Sequence, residues 1–142
     1  MSANTQEIRT FLQQYFPQTD NKFIINTVGN KSANLTYHVD QSSLRPGGTV
    51  SGPTLMAAAD LALYVALLGE IGIVALAVTT NLNINFLKKP SGQRDINVHC
   101  TLIKVGKTLA VGEVYLYSQG DDEPVAHVVG TYAIPKTEKS PA

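Results

Sequence analysis

The chain has 142 residues, of which 44% are hydrophobic and only 15% charged, and its 11 basic and 11 acidic side chains cancel. That length fits one domain with its own core, and the charge balance offers no basic stripe, so nucleic acid is excluded as a ligand class. The low charge content predicts apolar surface covered by a partner subunit, and Cys100, the only cysteine, excludes an intramolecular disulfide and a cysteine metal cluster.

In chain order, residues 1–20 read as an N-terminal helical extension. Ile8, Phe11, Leu12, Tyr15 and Phe16 recur at helical spacing, and Pro17 ends the run. The segment has no apolar core of signal-peptide type, so a cytoplasmic protein is expected. Residues 21–135 form the main domain. Phe23 to Val28 is a short apolar strand, followed by a Gly29-Asn30 turn, and Ala33, Leu35, Tyr37 and Val39 then alternate with polar residues as a second strand. Gln41 to Pro53 is a loop rich in Ser, Gly and Pro. Thr54 to Gly69 is rich in Ala and Leu and predicts a helix, with Pro53 at its first position and Gly69 as its stop.

This helix is apolar on every side, which predicts burial on every side, and its five alanines would let a sheet approach closely. Its longest apolar stretch, Leu55 to Leu68, carries Asp60 and is too short for a bilayer span, so no membrane partner is expected. Four strands follow, Val74 to Leu87, Ile96 to Leu102, Leu109 to Tyr117 and Val125 to Ile134, with turns at Gly106 and at Gln119-Gly120-Asp121-Asp122. Residues 136–142 are polar and read as a disordered tail. The pattern predicts an α+β fold in which an antiparallel sheet of five to six strands wraps one long central helix.

Asp60 is the only charged residue between Thr54 and Gly69. An acid on an apolar helix costs several kcal/mol unless it is paired or protonated, and Asp is a poor helix former. A helix serving only as core would carry Ala or Leu there. Asp60 is therefore a candidate general base or nucleophile, and its structural alternative is a hydrogen bond to a neighbouring loop or interface. The second candidate feature is Gly47-Gly48-Thr49-Val50-Ser51-Gly52-Pro53, leading into the helix. Glycine lets backbone approach a ligand, and the free N–H groups of Gly52, Thr54 and Leu55 at the positive helix end suit an oxyanion. Gly52 and Asp60 are eight residues apart, roughly 12 Å along a helix. One carbonyl cannot touch both within one subunit, so a two-fold dimer joining Gly52 of one chain to Asp60 of the other is expected.

Gly48 to Asp60, Val78 to Leu87 with Pro90, Lys104-Val105-Gly106-Lys107 and Gly130-Thr131 together resemble the hotdog-fold thioesterases of the PaaI-like group. The resemblance covers about residues 35–134. It implies a sheet wrapped around a central helix, a homodimer or a dimer of dimers, and hydrolysis of acyl-CoA without cofactor, CoA being part of the substrate. It places the family's catalytic carboxylate on Asp60 and its carbonyl-polarising glycine on Gly52. The family's His and amide fall on Ser51 and Arg45 instead.

By this reading Arg45, Ser51, Pro53, Thr54, Tyr64, Asn81 and Lys107 are substrate-binding candidates. Tyr64 lies one turn beyond Asp60, where it lines the acyl pocket or serves as a core tyrosine. Asn81, Asn83 and Asn85 share a strand face that meets ligand, partner or solvent. Lys88, Lys89, Lys104 and Lys107 are candidates for the CoA phosphates. His38, His99 and His127 share no ligand spacing, so no metal is expected, and Ser51 sits in no nucleophile elbow. Two rivals are a non-catalytic acyl-CoA binding protein on the same fold and a hydratase. The hydratase needs a histidine near the start of the helix, and none lies between His38 and His99.

Overall fold

The computed structural model describes residues 2–19 and 21–135, so the expected disordered tail lies outside the described residues. Helix α1 (Thr5–Tyr15) starts with a reciprocal cap: the Glu7 N–H donates to the Asn4 side chain at 2.9 Å, and the Asn4 N–H donates to the Glu7 carboxylate at 3.0 Å. The helix buries Ile8, Phe11 and Leu12 and stops before Pro17. Strands β1 (Phe23–Gly29) and β2 (Ser32–Tyr37) form a hairpin whose two turn residues, Asn30 and Lys31, have φ of 53° and 59°. Positive φ at both positions matches the strand twist but suits lysine poorly. The Lys31 N–H donates to the Glu70 carboxylate at 3.0 Å, which offsets that strain and ties the hairpin to the central helix.

That helix, α2, spans Gly52–Ile71. Strands β3 (Val78–Phe86), β4 (Ile96–Val105), β5 (Leu109–Ser118) and β6 (Ala126–Ala133) complete a six-stranded sheet of order β1-β2-β4-β5-β6-β3. Every neighbouring pair is antiparallel. Two glycines let helix and sheet meet. Gly112 and Gly130 face each other across β5 and β6, and a Cβ on either would lie 2.5 Å from a methyl of Leu63. Leu63 therefore seats in a hole that any side chain would fill, and this contact fixes the height of α2 over the sheet.

The structure departs from the sequence expectations at four places along this stretch. The helix starts at Gly52, one residue before Pro53, because Ser51 accepts the Thr54 N–H as its cap. It runs through Gly69 to end at Gly72, whose φ of 90° suits the stop. Gly69 is a packing residue instead, since a Cβ there would meet Val28 at 2.5 Å. The 20-residue helix is thus long and apolar enough to span a bilayer, but most of it is buried against the sheet.

Burial is not complete on all sides, however. Pro53, Met56 and Ala57 are exposed and Asp60 and Tyr64 half-buried, so one stripe of α2 is uncovered. Finally, β3 begins at Val78 rather than Val74. The Ala77 N–H donates to Val74 O in a turn, and the carbonyl of Ala75 accepts the Tyr64 hydroxyl at 3.2 Å.

Candidate active site

Asp60 sits on the uncovered stripe of α2, three residues before the Leu63 contact that sets the helix against β5 and β6. Its Oδ1 accepts two hydroxyls, Thr79 at 2.6 Å and Tyr132 at 2.8 Å, and Tyr132 also donates to the Asp60 main-chain carbonyl at 3.1 Å. Thr79 and Tyr132 are register partners on β3 and β6. A bulge at Thr80 shifts the alternation of β3, so Thr79 joins Leu82 and Ile84 on the helix-facing side. The acid is therefore a hydrogen-bonded carboxylate, where the sequence suggested an isolated one among aliphatic side chains. Burial first, and the neighbouring carboxylate second, hold the Tyr132 phenol well above its ordinary range, so it remains a donor. With both side-chain donors on Oδ1, Oδ2 has no hydrogen-bond partner among the described residues.

Asp60, Thr79 and Tyr132 line a cavity of about 490 Å³ whose other walls include Tyr64, Ala75 and Ala77, closed on one side by Phe11, Tyr15 and Phe16 of the α1 segment. Among the described residues Asp60 is its only charged lining residue. Tyr64, for which the sequence offered either a pocket wall or a core tyrosine, lines this cavity while its hydroxyl donates to the Ala75 carbonyl. Thr79, Tyr132 and the α1 aromatics are functional candidates that the sequence did not single out.

Gly52 lies elsewhere, in a separate cavity of about 610 Å³ lined by Arg45, Gly47, Phe86, Leu87, Lys88 and Lys89 among others. As first residue of α2 its N–H cannot bond within the helix, and it has no partner among the described residues. The other expected donors are occupied: Thr54 N–H bonds the Ser51 hydroxyl and Leu55 N–H bonds the Ser51 carbonyl. Gly52 alone remains to meet an oxyanion, with the helix dipole behind it. The Ser51 hydroxyl is also 2.8 Å from that of Thr54, which donates to Ser43 O, so both side chains serve the cap. Pro53 is exposed beside them.

The Gly52 cavity is cationic: Arg45, Lys88 and Lys89 line it and, among the described residues, no carboxylate does. Lys88 is held by Asp121 at 2.7 Å, leaving Arg45 and Lys89 unpaired among the described residues. Asn81 lies exposed on the edge strand β3, on the face away from the helix, and Lys107 is exposed at the β4–β5 hairpin. Neither lines either cavity. The histidines are placed outside both: His38 pairs with Asp95 at 3.1 Å, His127 with Glu113 at 2.8 Å, and His99 packs on Tyr117. Among the described residues no three His, Cys, Asp or Glu gather as metal ligands.

A six-stranded antiparallel sheet wrapped around one long helix, with a carboxylate held at mid-helix, defines the hotdog class. The sequence model of the thioesterase superfamily matches residues 47–125, and the chain belongs to that family. It is 40% identical to a protein from Silicibacter sp. TM1040 provisionally described as a thioesterase, with a TM-score of 0.86 over 93% of this chain and 92% of that one. The same fold recurs in zebrafish thioesterase superfamily member 2 at 21% identity, with a TM-score of 0.79 over 92% of this chain and 95% of that one. It recurs again in the E. coli PaaI protein of the phenylacetic acid degradation operon, at 19% identity and a TM-score of 0.80, over 92% of this chain and 91% of that one. No protein among the curated sequences matches the chain.

Proposed function

We propose that this thioesterase hydrolyses an acyl-CoA to the free acid and CoA, with Asp60 as the catalytic carboxylate and the Gly52 N–H polarising the carbonyl. The observation that carries the reading is the state of Asp60: one oxygen fixed by Thr79 and Tyr132, the other unengaged, at the wall of a cavity rich in aromatic side chains. A carboxylate so held keeps one geometry and has an oxygen free for chemistry. As base, it takes a proton from water while the water oxygen attacks the thioester carbon. The tetrahedral oxyanion then collapses, the C–S bond breaks, and the CoA thiolate leaves. As nucleophile, the same oxygen attacks the carbon directly, the C–S bond breaks to release the CoA thiolate, and water then hydrolyses the resulting mixed anhydride to the free acid and the regenerated carboxylate. No metal or organic cofactor enters either route.

The two halves of the machinery lie in separate cavities of one chain, so the site is completed by a second copy in a homodimer or dimer of dimers. Three features support this. The edge strand β3 exposes Val78 by 54% and Phe86 by 56%, α2 exposes Met56 by 38%, and these lie along the stripe joining the cavities. In this assembly Arg45 and Lys89, beside Gly52, would meet the CoA phosphates.

One observation favours the rival reading of a non-catalytic CoA-ester binding protein: the Ser51 hydroxyl is used by the helix cap, so the start of α2 offers a backbone donor alone. A panel of acyl-CoA esters followed by free-thiol release, run on wild type and Asp60→Asn, decides between them. We expect turnover by wild type and a loss of about 10²- to 10⁴-fold in kcat for the variant, which stays folded. Tight binding of the esters with no thiol release by wild type would select the binding protein, and full activity of Asp60→Asn would remove Asp60 from the mechanism.

A further inference from the structure

We propose that α1 is the specificity wall of the acyl site, and that through Tyr15 and Phe16 it selects a neutral, apolar acyl group long enough to reach it. The inference rests on the thioesterase reading above and adds the class of substrate. It begins from a continuous row of rings. Tyr132, which bonds Asp60, stacks on Tyr64 with centroids 6.0 Å apart and planes 18° apart. Tyr64 lies 6.4 Å from Phe11, and Phe11 lies 5.3 Å from Tyr15. The row therefore runs from the carboxylate to α1, along the cavity that Asp60 lines. An acyl chain whose carbonyl sits at Asp60 finds in this row of rings an apolar surface to follow, and that surface leads to α1.

The helix is built to carry those rings. Ile8 and Leu12, at 0% and 2% exposure, anchor it to the core, and its cap fixes its start. Tyr15 and Phe16 are 55% and 36% exposed yet line the cavity, so they contribute little to the core and stand at its rim. A large ring left in water at a cavity rim gains most when an apolar ligand covers it.

Charge defines what the wall excludes. Among the described residues of one chain, Asp60 is the only charged residue in the cavity lining, and that lining offers no cation to neutralise a second carboxylate. An acyl group ending in a carboxylate would be buried unpaired beside a like charge, which is costly. The acyl group is thus uncharged, and either an arylalkanoyl or a medium-chain alkanoyl group meets the requirement.

The test measures kcat/KM on acetyl-, hexanoyl-, 3-phenylpropanoyl- and succinyl-CoA for wild type, Tyr15→Ala and Phe16→Ala, with subunit mass from light scattering. Each methylene seated on the wall is worth roughly fourfold in kcat/KM at most. We expect wild type to prefer hexanoyl or 3-phenylpropanoyl over both acetyl and succinyl. The higher of these two identifies alkyl or aryl selection. In the variants the ratio of the preferred ester to acetyl should fall by about tenfold. An active wild type whose ratio stays within twofold in both variants would overturn the inference while leaving the thioesterase reading in place. So would variants that lose all substrates equally and fall apart into monomers, since Tyr15 and Phe16 would then be subunit contacts. Wild type inert on every ester would end the thioesterase reading, and this inference with it.

Discussion

Asp60 Oδ1 accepts hydroxyls from two strands, and each donor should have its own effect on the reaction. Tyr132→Phe keeps the ring stacked on Tyr64 and removes only the donor to Asp60. A hydrogen bond to a charged group is worth about 1.5 to 3 kcal/mol. We therefore expect kcat to fall about 10- to 100-fold with KM changed less than twofold, because the acid loses its fixed orientation and not its contact with substrate. Unchanged kcat would show that Thr79 alone suffices.

Cys100 gives a second check at this scale. It is 1% exposed on β4, and burial pushes its thiol up to about 12. An unfolded thiol ionises near its ordinary pKa of about 8.5, so its raised folded value favours the folded state below that pH and weakens it above. Native protein at pH 8 should leave Cys100 unlabelled by a thiol reagent, and labelling should follow unfolding. Fast labelling of native protein would contradict the packing of β4.

Asp60 itself was legible in the sequence, since one acid within sixteen apolar or small residues has no cheap structural excuse. Its partners were not. Tyr132 is 72 residues away and arrives through the pairing of β6 with an edge strand that is not its neighbour in sequence. Simple alternation back from Leu82 would have put Thr80 on the inner face, and only the bulge turns Thr79 there instead.

At the scale of elements, the position of α2 depends on Leu63 entering the space between Gly112 and Gly130. Gly130→Ala places a methyl 2.5 Å from Leu63. Overpacking of this kind costs about 1 to 3 kcal/mol, which chemical denaturation would read directly. Leu63→Ala in the same chain should recover part of the loss, and full additivity of the two changes would separate the residues.

Sequence periodicity located all eight of the major elements because each is strongly patterned, from the amphipathic α1 to the alternating β4. It misplaced the end of α2 because a glycine used for close packing at Gly69 and a glycine used as a stop at Gly72 look alike in sequence. It overstated the burial of α2 for a related reason. Met56, Ala57 and Pro53 are as apolar as residues facing the sheet, and composition cannot separate a face that meets the core from one left for another molecule.

For the whole molecule, the proposed mechanism turns on the separation of its two candidate catalytic features. The Gly52 N–H opens to a cationic cavity and Asp60 to an aromatic one, at positions eight residues apart on one helix. Two copies related by a two-fold axis would set the helix start of one against the acid of the other and cover the apolar stripe on both. Mixed dimers test this most directly. Asp60→Asn removes the acid, and Gly52→Pro removes the N–H at a helix position whose backbone suits proline, with the exposed Phe86 ring, 3.1 Å from a Cβ there, having to shift aside. Each variant alone should be nearly inactive. A random mixture refolded together should recover about a quarter of wild-type activity, because half the dimers are mixed and each mixed dimer holds one intact composite site. Recovery at that level would join Gly52 of one chain to Asp60 of the other, whereas a mixture no more active than its parents would place both groups' work within a single chain and contradict the account.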